Sequence, residues 1–204
     1  MEGRLIPQPF GYPNDPHSRR HGPAGWKDYR RYRQWLRDEF CFRCVYCLNR
    51  EQWMDRRRAF QIDHFTPQTL RPDLKADYTN LLYLCAACNQ LKSSKVLPDP
   101  CAISLRECLR FHHDGTVEAL KDEGELIIEV LELDDPLLVN WRRRKIGGLL
   151  SDAASDWSRF VAEMRFPDDL PDLTLDSPSQ NSRPEGIAES WLAMKRRGEL
   201  PEVY

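Results

Sequence analysis

The chain has 204 residues, 30% of them charged, with 30 Lys+Arg against 32 Asp+Glu. That size holds one domain with extensions or two small ones. No apolar run approaches the ~20 residues a membrane span needs, and the N-terminus has no apolar signal core, so the expectation is a cytoplasmic protein with no membrane partner. The net charge of −2 hides a division: residues 1–100 carry 17 basic against 11 acidic side chains, and residues 101–204 carry 13 against 21. The first half is the one expected to meet phosphate.

Residues 1–25 are rich in Pro, Gly, His and Arg and read as an irregular arm. Arg19-Arg20-His21 is within its means as a nucleic-acid contact, although a flexible tail is the simpler reading. From Trp26 to Phe40, Tyr29, Tyr32, Leu36 and Phe40 recur at helical spacing with Trp35 beside them, a stripe expected in the core. Arg30, Arg31, Arg33 and Arg37 cover much of the remaining surface and are candidates for phosphate. A domain is expected over residues 26–100. In it, Cys44-Val45-Tyr46-Cys47 is followed by the basic cluster Arg56-Arg57-Arg58, a candidate nucleic-acid contact. A short strand is expected over 58–65, ended by Pro67, then a polar loop. A second, more apolar strand spans 79–84 and leads into Cys85-Ala86-Ala87-Cys88. A helix over 86–95 places Asn89 and Lys92 one turn apart on one face.

Residues 101–166 read as a mixed hairpin and helical extension on the core. Asp114-Gly115 supplies a hairpin turn, residues 118–133 lean towards helix, and Asp135-Pro136 starts a long helix running towards Met164. Gly147-Gly148 threatens to break that helix. Cys101 and Cys108 are read as core thiols, and His112 and His113 as exposed at the turn. Residues 167–186, with Pro, Asp and Ser, read as a linker. Residues 187–204 form a last helix and tail whose Trp191 docks either on a partner or on the main domain.

The chemistry concentrates between Cys44 and Lys92. Two C-x-x-C knuckles are separated by 37 residues, Leu48 to Leu84. Each turn aims two thiolates at one point, and two such turns complete the tetrahedral shell of a structural zinc. Seven cysteines arranged this way suit metal binding in a reducing compartment better than a disulfide framework. Cys41, three residues before Cys44, leaves a second pairing open for the first knuckle. Between the knuckles stand Asp63-His64 and the isolated Asn80. A histidine that titrates near neutrality can take a proton from water, and Lys92 is a candidate phosphate contact. As isolated features, Asp63-His64 is an ordinary strand pair and Asn80 a turn residue.

The set Asp63-His64, Asn80 and Cys88-Asn89-x-x-Lys92, flanked by the two knuckles, resembles the HNH endonuclease family over about a quarter of the chain. The resemblance implies an α+β protein, mainly helical: a ββα-metal core stapled by a four-cysteine zinc site (Cys44, Cys47, Cys85, Cys88), with helical N- and C-terminal extensions. It implies phosphodiester hydrolysis, with His64 as general base, Asp63 and Asn89 holding a divalent cation, and Asn80 bracing the loop that orients His64. Asn89 stands where the family often has His, and an amide oxygen suits Mg²⁺ or Mn²⁺ better than zinc. The implied substrate is DNA, with RNA the alternative. Small proteins of this family resemble nuclease components of restriction and phage-defence systems, which suggests an ATPase partner or a homodimer. The competing reading is a zinc-stapled nucleic-acid-binding module with no chemistry.

Overall fold

The computed structural model describes residues 6–54, 59–175 and 178–204. Among them the elements in chain order are β1 (Pro23–Ala24), a 3-10 turn (Tyr29–Tyr32), α1 (Arg33–Glu39), β2 (Phe60–His64), β3 (Leu81–Cys85), α2 (Ala86–Lys92), α3 (Leu105–Cys108), β4 (Leu109–Phe111), β5 (Val117–Ala119), α4 (Asp122–Leu131), α5 (Pro136–Ser155), α6 (Trp157–Met164), β6 (Gln180–Asn181) and α7 (Trp191–Arg197). The result is α+β, with three two-stranded antiparallel sheets set among helices.

The centre is the β2–β3 hairpin and the helix that follows it. Leu81-Leu82-Tyr83-Leu84-Cys85 is apolar throughout and buried throughout, as a strand covered on both faces requires. β2 pairs with it antiparallel, His64 opposite Leu81 and Phe60 opposite Cys85. Phe60 stacks on Tyr83 with ring centroids 5.1 Å apart. α1 packs its buried Trp35 and Leu36 into the same core. α2 begins directly after β3 because Cys85 caps it, its sulfur accepting from the Cys88 N–H. The predicted order of strand, loop, strand and helix is therefore present.

Several expectations are corrected. The arm is irregular but held: Phe10, Tyr12 and His21 are buried, and β1 pairs with β6. Arg19, Arg20 and His21 turn inward rather than towards a ligand. Arg19 donates to the Leu81 carbonyl at 2.7 Å, and His21 Nε2 lies 2.8 Å from Asp38 Oδ1 with both side chains fully buried. Arg37, one of the arginines offered to phosphate, forms a buried bidentate pair with Glu51. Arg33 donates to the Phe60 carbonyl at 2.9 Å. Arg56, Arg57 and Arg58 lie outside the described residues.

Beyond α2, Gly115 makes the predicted turn with φ 85°. Asp135 caps α5 by accepting the Leu137 and Leu138 N–H groups. Gly147 and Gly148 do not break α5; the break comes at Asp156, which ends α5 and caps α6 through the Ser158 N–H at 3.1 Å. Within residues 167–186, Leu173 is buried and Gln180–Asn181 form β6. Trp191 folds back on the main body. It lies under the Arg20 guanidinium at 4.6 Å, meets Phe166 at 4.8 Å, and donates from Nε1 to the Asp38 carbonyl at 2.9 Å.

Candidate active site

The two knuckles converge. The sulfurs of Cys44, Cys47, Cys85 and Cys88 lie within 4.8 Å of one another, all buried. Cys47 and Cys85 are 3.6 Å apart, far beyond the ~2.05 Å of a disulfide and close to the ~3.8 Å edge of a tetrahedron built on ~2.3 Å zinc–sulfur bonds. Leu48, just after the first knuckle, takes φ 60°, which lets its N–H return to the Cys44 carbonyl at 3.0 Å. Cys41 is a free thiol outside the cluster, so the first knuckle is Cys44 with Cys47. Hydrogen bonding to Cys44, Cys47 and Cys88 pulls the Cys85 thiol far below its ordinary range. Contact with Cys44 first pushes the Cys47 and Cys88 thiols up, with Cys85 adding to both, while Cys88 pulls Cys47 the other way. Such a set suits a divalent cation, which would let every sulfur ionise.

Beside this closed site is an open cleft of about 360 Å³, lined by Tyr29, Asp63, His64, Gln68, Asn89 and Ser93 among others. His64 ends β2 with its ring fixed at both nitrogens. Nε2 lies 2.9 Å from the Lys75 carbonyl, and since a carbonyl only accepts, Nε2 carries the proton. Nδ1 therefore holds the lone pair and accepts from the Gln68 amide at 3.1 Å. Asn80 closes the loop between the strands: its Oδ1 accepts from the Thr66 N–H at 2.8 Å and its Nδ2 donates to the Thr66 carbonyl at 3.1 Å. The backbone adds a bond from the Phe65 N–H to the Asn80 carbonyl at 2.8 Å.

Residues 44–95 match the family model described as HNH endonuclease, about a quarter of the chain. This chain carries an HNH endonuclease domain. No curated protein matches the chain. An HNH domain works on nucleic acid, and no helix among the described residues is long and apolar enough to cross a membrane.

Inside the HNH domain, a carboxylate and an amide that could hold a divalent cation both line the cleft, Asp63 and Asn89. Asp63 is buried, and burial raises its carboxyl above the ordinary range even with Lys92 close by to lower it. Lys92 Nζ stands 2.9 Å from Asp63 Oδ2, an ion-pair separation, but not an aligned hydrogen bond, and Oδ2 has no hydrogen-bond partner. Asn89 donates from Nδ2 to Gln61 Oε1, so its carbonyl oxygen is the end left to bind a cation. One buried carboxylate with unfilled lone pairs and one amide oxygen, facing an open cleft, fit a hard cation that keeps waters of its own.

Lys92 does not reach phosphate. Its side chain is fully buried, with the ammonium donating to the His64 carbonyl at 3.0 Å and paired with Asp63. The reason lies in α2, which turns this face towards the hairpin and leaves Asn89, three residues earlier, half-buried at the cleft. Four residues of the site were not legible as such in the sequence: Tyr29, Gln61, Gln68 and Lys75. Tyr29 looked like one more member of a core stripe, and the other three contribute by where the folded loop and strand carry them.

Proposed function

We propose that the HNH domain hydrolyses phosphodiester bonds, with DNA as the substrate and His64 as the general base. The observation that carries this reading is one open cleft holding Asp63, His64 and Asn89 beside a closed four-thiol cluster. A module that only bound nucleic acid would need the thiols and the basic surface but not this cleft.

The tie from Nε2–H to the Lys75 carbonyl leaves Nδ1 as the one proton acceptor on the ring. The Gln68 amide stands where a water hydrogen would point. A water entering the cleft takes that place and gives its proton to Nδ1 as its oxygen attacks phosphorus. Asn80 acts at one remove, pinning Thr66 and so the turn that follows His64. Lys92 holds Asp63 and the His64 backbone in register from beneath. Asp63 and Asn89 would hold the Mg²⁺- or Mn²⁺-type cation, and the four cysteines a structural zinc. When bound, the hard cation stabilises the departing oxygen.

A single cleft cuts a single strand, so double-strand cleavage calls for a homodimer, a second binding event or a partner subunit. A place in restriction or phage defence beside an ATPase follows from analogy with small HNH proteins, and co-purification from the native host tests it. The central test is plasmid nicking in Mg²⁺ or Mn²⁺. His64→Ala is expected to lower the rate by about 10²–10⁴-fold while the protein still binds. Equal cleavage by both proteins, or none by the wild type on DNA or RNA, overturns the reading. Salt-sensitive binding indifferent to His64 and to divalent cations would then identify a binding module.

A further inference from the structure

Tyr29 lies outside the segment that matches the HNH family model, yet it forms part of the wall of the cleft that holds Asp63, His64 and Asn89. Its ring centroid is 4.7 Å from that of His64, with the planes at 75°. The Arg30 guanidinium carbon also lies over the phenol ring, 5.6 Å from its centroid. Of the stripe Tyr29, Tyr32, Leu36 and Phe40, the last three are buried and Tyr29 alone is half-exposed, at the cleft. The turn that carries it is rigidly set. Asp28 caps it by accepting the Arg30 N–H at 3.0 Å. Tyr32 anchors it in the core against Trp26 and Tyr78, at 4.9 and 5.5 Å.

We propose that Tyr29 is a positioning residue for His64, so that the chain preceding the HNH segment completes the active cleft. The proposal rests on the reading of His64 as the base. Two hydrogen bonds define the ring nitrogens of His64, but the Gln68 contact must give way when water arrives. From then on a single bond to the Lys75 carbonyl holds the imidazole, and one bond permits the ring to tilt and to exchange tautomers. An edge-to-face aromatic contact is directional and supplies the missing constraint without touching the lone pair. Misplacing a reacting group by about 1 Å costs on the order of a hundredfold in rate, so a lost contact of this kind acts on turnover rather than on substrate binding.

The test compares Tyr29→Ala and Tyr29→Phe in the full chain, with zinc content and melting temperature measured alongside. Tyr29→Ala is expected to lower kcat by about ten- to a hundredfold with KM within about twofold, and Tyr29→Phe, which keeps the ring, to restore kcat. Nitrogen NMR of the His64 imidazole in a Gln68→Ala background, where only the bond to the Lys75 carbonyl holds the ring, gives a readout free of catalysis: the Nε2–H tautomer alone with Tyr29 or Tyr29→Phe, and a mixture with Tyr29→Ala. If Tyr29→Ala fails to fold, Tyr29→Leu, which keeps bulk but no ring, carries the same expectations. Wild-type kcat in the ring-less variant, an unchanged tautomer, or equal impairment in Tyr29→Phe overturns the proposal. A wild type that cleaves nothing while the tautomer still follows Tyr29 defeats the nuclease reading and leaves the positioning role standing.

Discussion

Lys92 changes role between the linear chain and the fold. Helical spacing puts it one turn from Asn89 and offers it to phosphate, but packing turns it under the hairpin. There its ammonium faces Asp63 Oδ2 and the His64 carbonyl with no exposed surface. Removing one member of a buried ion pair leaves the other charge uncompensated, which costs roughly 3–5 kcal/mol. Lys92→Ala is therefore expected to lose about that much stability in urea denaturation. A phosphate contact would instead leave stability unchanged and weaken binding. The residues that the fold brings together as the sequence anticipates, such as the four clustered cysteines, share a feature: near neighbours in the chain fix their geometry. A C-x-x-C turn aims its own sulfurs, and Asp63 and His64 leave a strand on known faces. Tyr29, Gln61 and Gln68 join the site only through what the fold carries next to them, and no local spacing encodes that.

Among the elements, the glycines separate helix propensity from packing. Gly147 and Gly148 lie within α5, exposed, and a Cβ at either position would meet nothing within 4 Å. Alanine there removes backbone freedom from the unfolded chain and clashes with nothing, so each substitution is expected to add roughly 0.8–1 kcal/mol. Gly124 is also helical, in α4, but a Cβ there would stand 1.9 Å from the Cys108 carbonyl oxygen. Gly124→Ala is expected to lower the melting temperature despite the same gain in propensity, because the helix must move off the end of α3 and off β5. Thermal melts of the three variants decide it, and a stabilised Gly124→Ala would show that α4 packs otherwise. The sequence shows the glycine pair as a helix breaker and gives no sign of the tight contact at Gly124. Propensity is a local quantity, and the distance to a carbonyl sixteen residues away is not. The arginines repeat the lesson. Arg50, of a residue type seldom fully buried, is 1% exposed between Trp53 and Tyr204, and burial pulls its pKa down to about 10.

At the scale of the whole molecule, two adjacent acids at the end of α1 join segments far apart in the chain. Asp38 accepts from His21, Arg20 and the Trp191 N–H, so it holds both the arm and α7. Glu39, fully buried, accepts from the Arg20 and His21 N–H groups at 2.8 and 3.0 Å, faces His17 Nε2 at 3.0 Å, and accepts from the Tyr78 hydroxyl at 3.0 Å. Tyr78 precedes Asn80 by two residues, so this knot also anchors the turn that leads into β3. Burial alone would raise the Glu39 carboxyl. The hydrogen bonds from His17 and the Arg20 amide, with the charge of His21 behind them, outweigh it and hold the group at about 2. A carboxylate held below its unfolded value of 4.5 stabilises the fold fully above that pH and loses the contribution as the pH falls towards 2. The shift corresponds to roughly 3 kcal/mol. Chemical denaturation of wild type and Glu39→Gln at several pH values between 6 and 2 measures it. The wild type is expected to be more stable at pH 6 by an amount of that order, and the gap is expected to narrow steadily below about pH 4.5, where the carboxyl of the unfolded chain takes up a proton and the native one does not until about pH 2. A gap that stays constant across that range would mean that folding does not shift the Glu39 carboxyl, and one that widens as the pH falls would mean that the folded protein keeps Glu39 protonated, with the knot joining arm, α1 and β3 held by neutral hydrogen bonds.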